Sequence, residues 1–301
     1  MPSPLWADTF GSGENAFDIE FVAVPSVGTF DVRPCGRCPI ETRPGNRPDT
    51  STTVNGVGSV PYDYRIGKFE ISEAIIDAAN VLGDLRITHD NRGPNKPATS
   101  IDWFEAARFV NWLNLERGFA SAYKLDSTDR IQLWQPEDDG FNPANQIRNS
   151  HARYFLPSID EWHKAAYYDI ATDDYNQFPT GSSSPSPVSS GTIENSAVFQ
   201  QGSVGPADAI SAGGLSPYGT MAQGGNVFEW QDSPSIRFAG GYWDSALISL
   251  FASSNGGGGA ANPSTSDDRV GFRVAFVPEP TSGVLSLMVV VLRLSLRREV
   301  K

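Results

Sequence analysis

Glycine and proline punctuate this chain so densely, 29 and 22 of them in 301 residues, that few runs are long enough to become regular elements. Glycine costs a helix or strand conformational entropy, and proline removes a backbone donor while keeping the residue before it out of the helical region. The surviving runs are short. AFDIEFVAV reads as a first strand, with Phe17, Ile19, Phe21 and Ala23 alternating with Asp18, Glu20 and Val22, and YRIGKFEIS reads as a second. ISEAIIDAANVLG predicts a short helix ending at Gly83. SIDWFEAARFVNWLNLERG predicts the longest one, because Trp103, Ala107, Val110 and Leu113 recur at helical spacing and Gly118 is placed to stop it. A third helix begins at LPSIDEWHKAAYYD, where Ser158 and Glu161 have the spacing of a capping box. GSSSPSPVSSG, residues 181–191, is a low-complexity surface loop. RVGFRVAF predicts a last strand with Val270, Phe272, Val274 and Phe276 on one face. Seven Trp and seventeen Phe are enough for a packed interior, no internal repeat emerges, and the class is α+β with much irregular structure.

Charge excludes one class of partner. The formal net charge is -12, so each phosphate contact would work against a repulsive field, and nucleic acid is set aside. The only cysteines, Cys35 and Cys38, lie in PCGRC among Pro34, Pro39 and Pro44. A local disulfide, two idle thiols and a redox pair all stay open for them. Zinc would require two further ligands, and His89, His151 and His163 are scattered without ligand spacing. His163, next to Trp162 in the third helix, is expected on the helix surface.

The two ends point to different compartments. MPSPLWADTFGSG has neither the basic head nor the apolar run of about 7 to 15 residues of an export signal, which taken literally means cytoplasm. At the other end Val277-Pro278-Glu279-Pro280 precedes an apolar stretch, Ser282 to Leu292, followed by Arg293, Arg297 and Arg298. This tail resembles the PEP-CTERM sorting signal of exported bacterial proteins, which is read by a membrane-bound exosortase. The resemblance implies an exported protein sorted to the cell surface or the extracellular space, transient membrane association through the tail, and a start codon placed too late. The apolar stretch is shorter than the roughly 20 residues of a permanent span. The expected division is residues 1–14 as a leader remnant or mature N-terminus, one domain over 15–276, and the sorting tail over 277–301.

Read in order, IGKFEIS, PATSIDWFEAARFVNWLN, YFLPSIDEWHKAAYYD, SPYGTMAQGGNVFEWQDS, AGGYWDS and DDRVGFRVAF resemble the motifs of the formylglycine-generating enzyme, or sulfatase-modifying factor, family. The resemblance implies a loop-rich variant of the C-type lectin fold. In GGNVFEW the carboxylate of Glu229 stands between two large rings, so it must be paired, protonated or bound to a cation. Calcium suits such oxygen ligands, and the family's calcium ligands carry over to Gly225, Val227 and Glu229, with Ala222 where the family has an asparagine. An arginine salt bridge is the alternative for Glu229. A second family calcium site begins with an asparagine that Asn195 matches.

The family's oxidase chemistry uses two cysteines that bind copper(I). Counting from Gly240 in GGYWDSALISLFASSN places them at Ser245 and Leu250, and neither residue supplies the soft thiolate that copper(I) requires. Ala239 stands where the motif's arginine belongs. The sequence therefore predicts no copper and no family catalysis, and a binding or extracellular matrix role for peptide or polysaccharide. The alternative is a relative with altered oxidoreductase-type chemistry using Asp244, Ser245 or Glu229.

Overall fold

The computed structural model describes residues 5–26, 57–232, 236–257 and 259–278. Cys35, Cys38 and the tail from Glu279 onward lie outside the described residues.

The elements that position the site are strands β1 (Leu5–Phe10), β2 (Phe17–Val24), β3 (Tyr64–Gly67), β4 (Tyr154–Phe155), β5 (Phe228–Gln231), β6 (Arg237–Ala239), β7 (Gly259–Ala260), β8 (Val270–Gly271) and β9 (Ala275–Phe276), with helices α1 (Glu73–Gly83), α2 (Trp103–Glu116) and α3 (Ile159–Tyr167). One sheet runs β1-β2-β3-β9-β4 with antiparallel neighbours throughout. A second runs β7-β6-β5-β8, where β5 and β8 are parallel. The strand over residues 5–10 pairs along its whole length with β2 and buries Phe10, so the sheet includes residues that the sequence division left outside the domain. LWADTF shows no apolar–polar alternation of its own, which hid it.

Each helix starts on a side-chain cap. Ser72 accepts from Ile75 N at 3.4 Å, and the capping box of α3 forms as expected, with Glu161 N donating to Ser158 Oγ at 3.3 Å and Ser158 N to Glu161 Oε2 at 2.7 Å. α2 carries an equivalent box from Asp102 and Glu105, at 2.8 and 3.0 Å, and Gly118 follows it in the left-handed region at φ 73°. α2 lays Phe109 against Phe17 and Phe272, with ring centroids 6.5 and 5.5 Å apart. Its buried Asn114 accepts from Arg153 N and Tyr154 N at 2.9 and 3.0 Å and donates to Tyr154 O at 2.7 Å, which fixes β4 against the helix. At its N-terminal end Trp103 Nε1 donates to Gln231 O at 3.2 Å and Trp230 Nε1 to Ile101 O at 2.8 Å, so the same helix holds β5. Both sheets are thereby referenced to one rod.

Two expectations need correction. In β2 the alternation holds only as far as Phe21; Val22 and Val24 are also buried and Ala23 is half-buried, because the turn at Tyr218–Met221 covers the other face, with Met221 N donating to Lys68 O at 2.8 Å. RVGFRVAF is two strands rather than one: β8 belongs to the second sheet, β9 to the first, and both faces of the crossing between them are enclosed, so Phe272, Arg273 and Val274 are all fully buried.

Candidate functional site

The crossing at Arg273 organises the interior beneath the site. Its guanidinium donates to Glu229 Oε2 at 2.6 Å and Oε1 at 2.5 Å, to Gly67 O and Met221 O at 2.8 Å each, and to Lys68 O at 3.3 Å. Trp162 of α3 adds a third donor to Glu229, Nε1 to Oε2 at 2.7 Å. A second carboxyl, Glu70, accepts from Asn226 Nδ2 at 2.6 Å and Val227 N at 3.3 Å. Burial, and then the adjacent Glu229 carboxylate, push the Glu70 carboxyl well above the ordinary carboxylate range. One guanidinium thus compensates Glu229.

Of the two partners open to Glu229 the structure supplies the arginine, whose guanidinium takes both carboxylate oxygens. A calcium ion at Gly225, Val227 and Glu229 would have to share that carboxylate with the guanidinium, and Ala222 adds no side-chain oxygen. Asn195 uses its amide within its own loop, donating to Ser184 O at 3.2 Å and accepting from Thr180 Oγ1 at 3.4 Å. Among the described residues no group of three or more His, Cys, Asp or Glu side chains is spaced to hold a metal. Chelation by EDTA is expected to move the melting temperature by less than about 1 °C, since only a ligand bound to the folded state stabilises it; a clear drop, reversed by calcium and absent in Glu229→Gln, would restore the calcium reading.

His163 also differs from its sequence reading. It is 3% exposed rather than on the helix surface, with Nε2 3.2 Å from Ala252 O and its ring 4.7 Å from Tyr167 and 5.2 Å from Tyr175. The segment Leu247–Gly257 packs over that side of α3, which the helical period of α3 alone could not reveal.

Above Trp162 the chain turns through Gly240 and Gly241, at φ 108° and 75°. A methyl group on Gly241 would lie 3.3 Å from Ser245 Oγ and 3.4 Å from Leu250 Cδ1, so the turn needs glycine for space as well as for its backbone angles. The two positions that the resemblance assigns to copper cysteines therefore both lie beside this glycine. Ser245 is buried and closes the turn, its Oγ accepting from Tyr242 N at 2.9 Å. Leu250 is fully buried in a cluster with Phe178, Phe199 and Phe251. An oxygen and an aliphatic side chain thus border Gly241 where the resemblance calls for two sulfurs.

The outer side of the same turn lines a groove of about 750 Å³. Tyr242 and Trp243 meet edge to face, with centroids 5.4 Å apart at 88°. Arg269 lies over the Tyr242 ring at 5.2 Å and Arg92 over the Trp243 ring at 5.0 Å. The loop after Gln201 forms the facing wall: Gln201 N donates to Trp243 O at 2.9 Å, Trp243 Nε1 to Gly202 O at 3.2 Å, and Gly202 N to Asp244 Oδ1 at 2.8 Å. Arg92 donates to Thr99 Oγ1 at 2.7 Å and to Asp268 O and Oδ2 at 2.8 and 3.0 Å. Lys96 reaches Pro206 O at 2.9 Å and Asp208 at 3.0 Å, and Arg269 holds Asp267 through two bonds of 2.8 and 2.6 Å. Sequence reasoning found the floor in GGYWDS but missed Arg92 and Lys96, which lie in an aperiodic loop, and read Asp268 and Arg269 only as the lead into a strand.

The comparisons agree with this architecture. Among curated proteins none matches the chain. Three solved structures share its fold: Treponema denticola variable protein 1, 18% identical with a TM-score of 0.61, covering 91% of this chain and 99% of that one; CarF, 18% identical, TM-score 0.55, covering 87% and 99%; and PvdO from Pseudomonas aeruginosa, 17% identical, TM-score 0.54, covering 90% and 98%. At these identities the likeness establishes the loop-rich α+β architecture of the C-type lectin type and nothing about ligands. The sequence profile of the sulfatase-modifying factor enzyme 1-like domain matches residues 58–277, a span that holds the arginine crossing, the glycine turn and the groove, and the chain belongs to that family.

Proposed function

We propose that this is an exported, surface-sorted protein whose sulfatase-modifying-factor-like domain recognises a ligand instead of oxidising one. The observation that carries the reading is the pairing of Ser245 with Leu250 around Gly241. A hydroxyl already holding a turn and a methyl-terminated side chain cannot bind copper(I), whereas the adjoining groove keeps aromatic and polar side chains in a cleft of ligand size. Loops on a rigid base are suited to recognition. Export and sorting rest on the tail sequence, with exosortase-type machinery as its reader and membrane contact confined to that step. Among the described residues no helix is long and apolar enough to cross a membrane.

Oxygen uptake by purified full chain, supplied with copper(I) and a cysteine-containing sulfatase peptide, tests the loss of chemistry. The expected result is no turnover above the copper blank. Uptake that vanishes in Cys35→Ser or Cys38→Ser would overturn it. Export is tested by expressing the chain with its upstream genomic reading frame in an exosortase-bearing host: full-length protein should reach the surface, and protein ending at residue 276 should not be sorted there.

A further inference from the structure

Resting on the recognition reading, the groove's charges narrow the ligand further. Every cation lining it is already paired in place: Arg92 with Asp268 and, at 3.2 Å, Asp90; Lys96 with Asp208; Arg269 with Asp267. A charged ligand would have to break one of these pairs or add an uncompensated charge. The pairs nevertheless leave valences unused, because a guanidinium has five N–H groups and a carboxylate has about four lone-pair sites. Asp244 is exposed, and among the described residues its hydrogen bond is through Oδ1 to Gly202 N, which leaves Oδ2 to accept from a ligand. Donors and acceptors are therefore interleaved around Tyr242, a half-buried ring that packs on Phe228 at 5.4 Å and under Arg269 at 5.2 Å and still lines the groove.

Hydroxyl groups donate and accept at once, so a ligand dense in them can satisfy both kinds of side chain without carrying charge. A peptide is less well served. One recurring mode of peptide binding extends an open strand ladder, and none of the residues lining this groove belongs to a strand. We propose that the groove between Tyr242, Asp244, Arg92 and the loop after Gln201 binds an uncharged oligosaccharide, with a sugar ring against Tyr242 and its hydroxyls on Asp244, Asp268 and Arg92.

Affinity electrophoresis of the full chain through gels containing dextran, laminarin or mannan, against alginate and chitosan as charged polymers, tests this, with a displayed random-peptide library run in parallel. At least one neutral polymer should retard the protein, and the retardation should persist between about 0.1 and 1 M NaCl, because neutral contacts are not screened. Tyr242→Ala should weaken it about tenfold, as expected for an aromatic at the centre of a small site, and the conservative Asp244→Asn several-fold. Asp244 is exposed, so its variant keeps the fold and serves where Tyr242→Ala loses melting temperature. Retardation by alginate or chitosan alone, collapsing with salt, overturns the inference, and so does neutral binding that both variants leave intact. Peptide capture sensitive to Asp244→Asn with no neutral polymer bound overturns the oligosaccharide while the recognition reading stands. Failure of every probe removes both.

Discussion

Arg273→Met is expected to destabilise the protein by about 3–5 kcal/mol, the cost of leaving one partner of a buried ion pair without the other. The guanidinium is fully buried and is bonded to β5 through Glu229, to the end of β3 through Gly67 O and Lys68 O, and to the turn at Met221. Its removal leaves Glu229 with only the Trp162 indole, beside a second carboxyl at Glu70, and three carbonyls without this donor. For a domain of this size the loss corresponds to a fall in melting temperature of roughly 10 °C. Urea denaturation of the single and double variants separates causes. Arg273→Met combined with Glu229→Gln removes the orphaned charge, so the double variant should be less destabilised than Arg273→Met alone, with a coupling of about 1–3 kcal/mol. A single variant that loses less than about 1 kcal/mol would mean that Glu229 finds another partner or a proton at no cost.

Acid should destabilise the protein through His163 over a window separate from most of its carboxylates. Burial pushes the imidazole down to about 4 in the folded state, against the opposing hydrogen bond to Ala252 O, while the unfolded chain titrates near 6.5. Between those values the unfolded chain binds a proton that the folded chain refuses, so stability falls as pH drops from about 6.5 to about 4. The full effect is about 3 kcal/mol on the scale of 1.36 kcal/mol per unit. His163→Phe keeps the ring packing on Tyr167 and Tyr175 and cannot titrate. Its unfolding free energy should lose about 2 to 3 kcal/mol less than that of the natural protein between pH 7 and pH 4.5. Carboxylates held low in the fold, such as Asp63 and Asp267, lose stability at lower pH in both proteins and cancel in the comparison. Equal slopes for the two proteins would show that His163 is protonated in the folded state.

Local signals were legible in the sequence wherever one segment decides its own conformation. Apolar period and caps located α1, α2 and α3 to within three residues, and the six motif segments named the family before any contact was known. The glycine count from Gly240 also selected Ser245 and Leu250, both of which lie beside Gly241 in the fold. What the sequence could not assign were relations between segments with equal local claims. Glu229 permits a cation or an arginine, and only the crossing of β8 into β9 brings Arg273 to it. His163 falls on a helix face that reads as polar until Leu247–Gly257 covers it. Arg92, Lys96, Asp244 and Asp268 are ordinary surface charges in loops far apart along the chain, and folding alone makes them neighbours. The sequence by itself thus determined the helices, the turn chemistry and the absence of sulfur at two positions, because backbone preference and side-chain chemistry are local. The partner of each buried charge and the walls of the groove were decided by the tertiary structure, since desolvation and pairing depend on what packs across the fold.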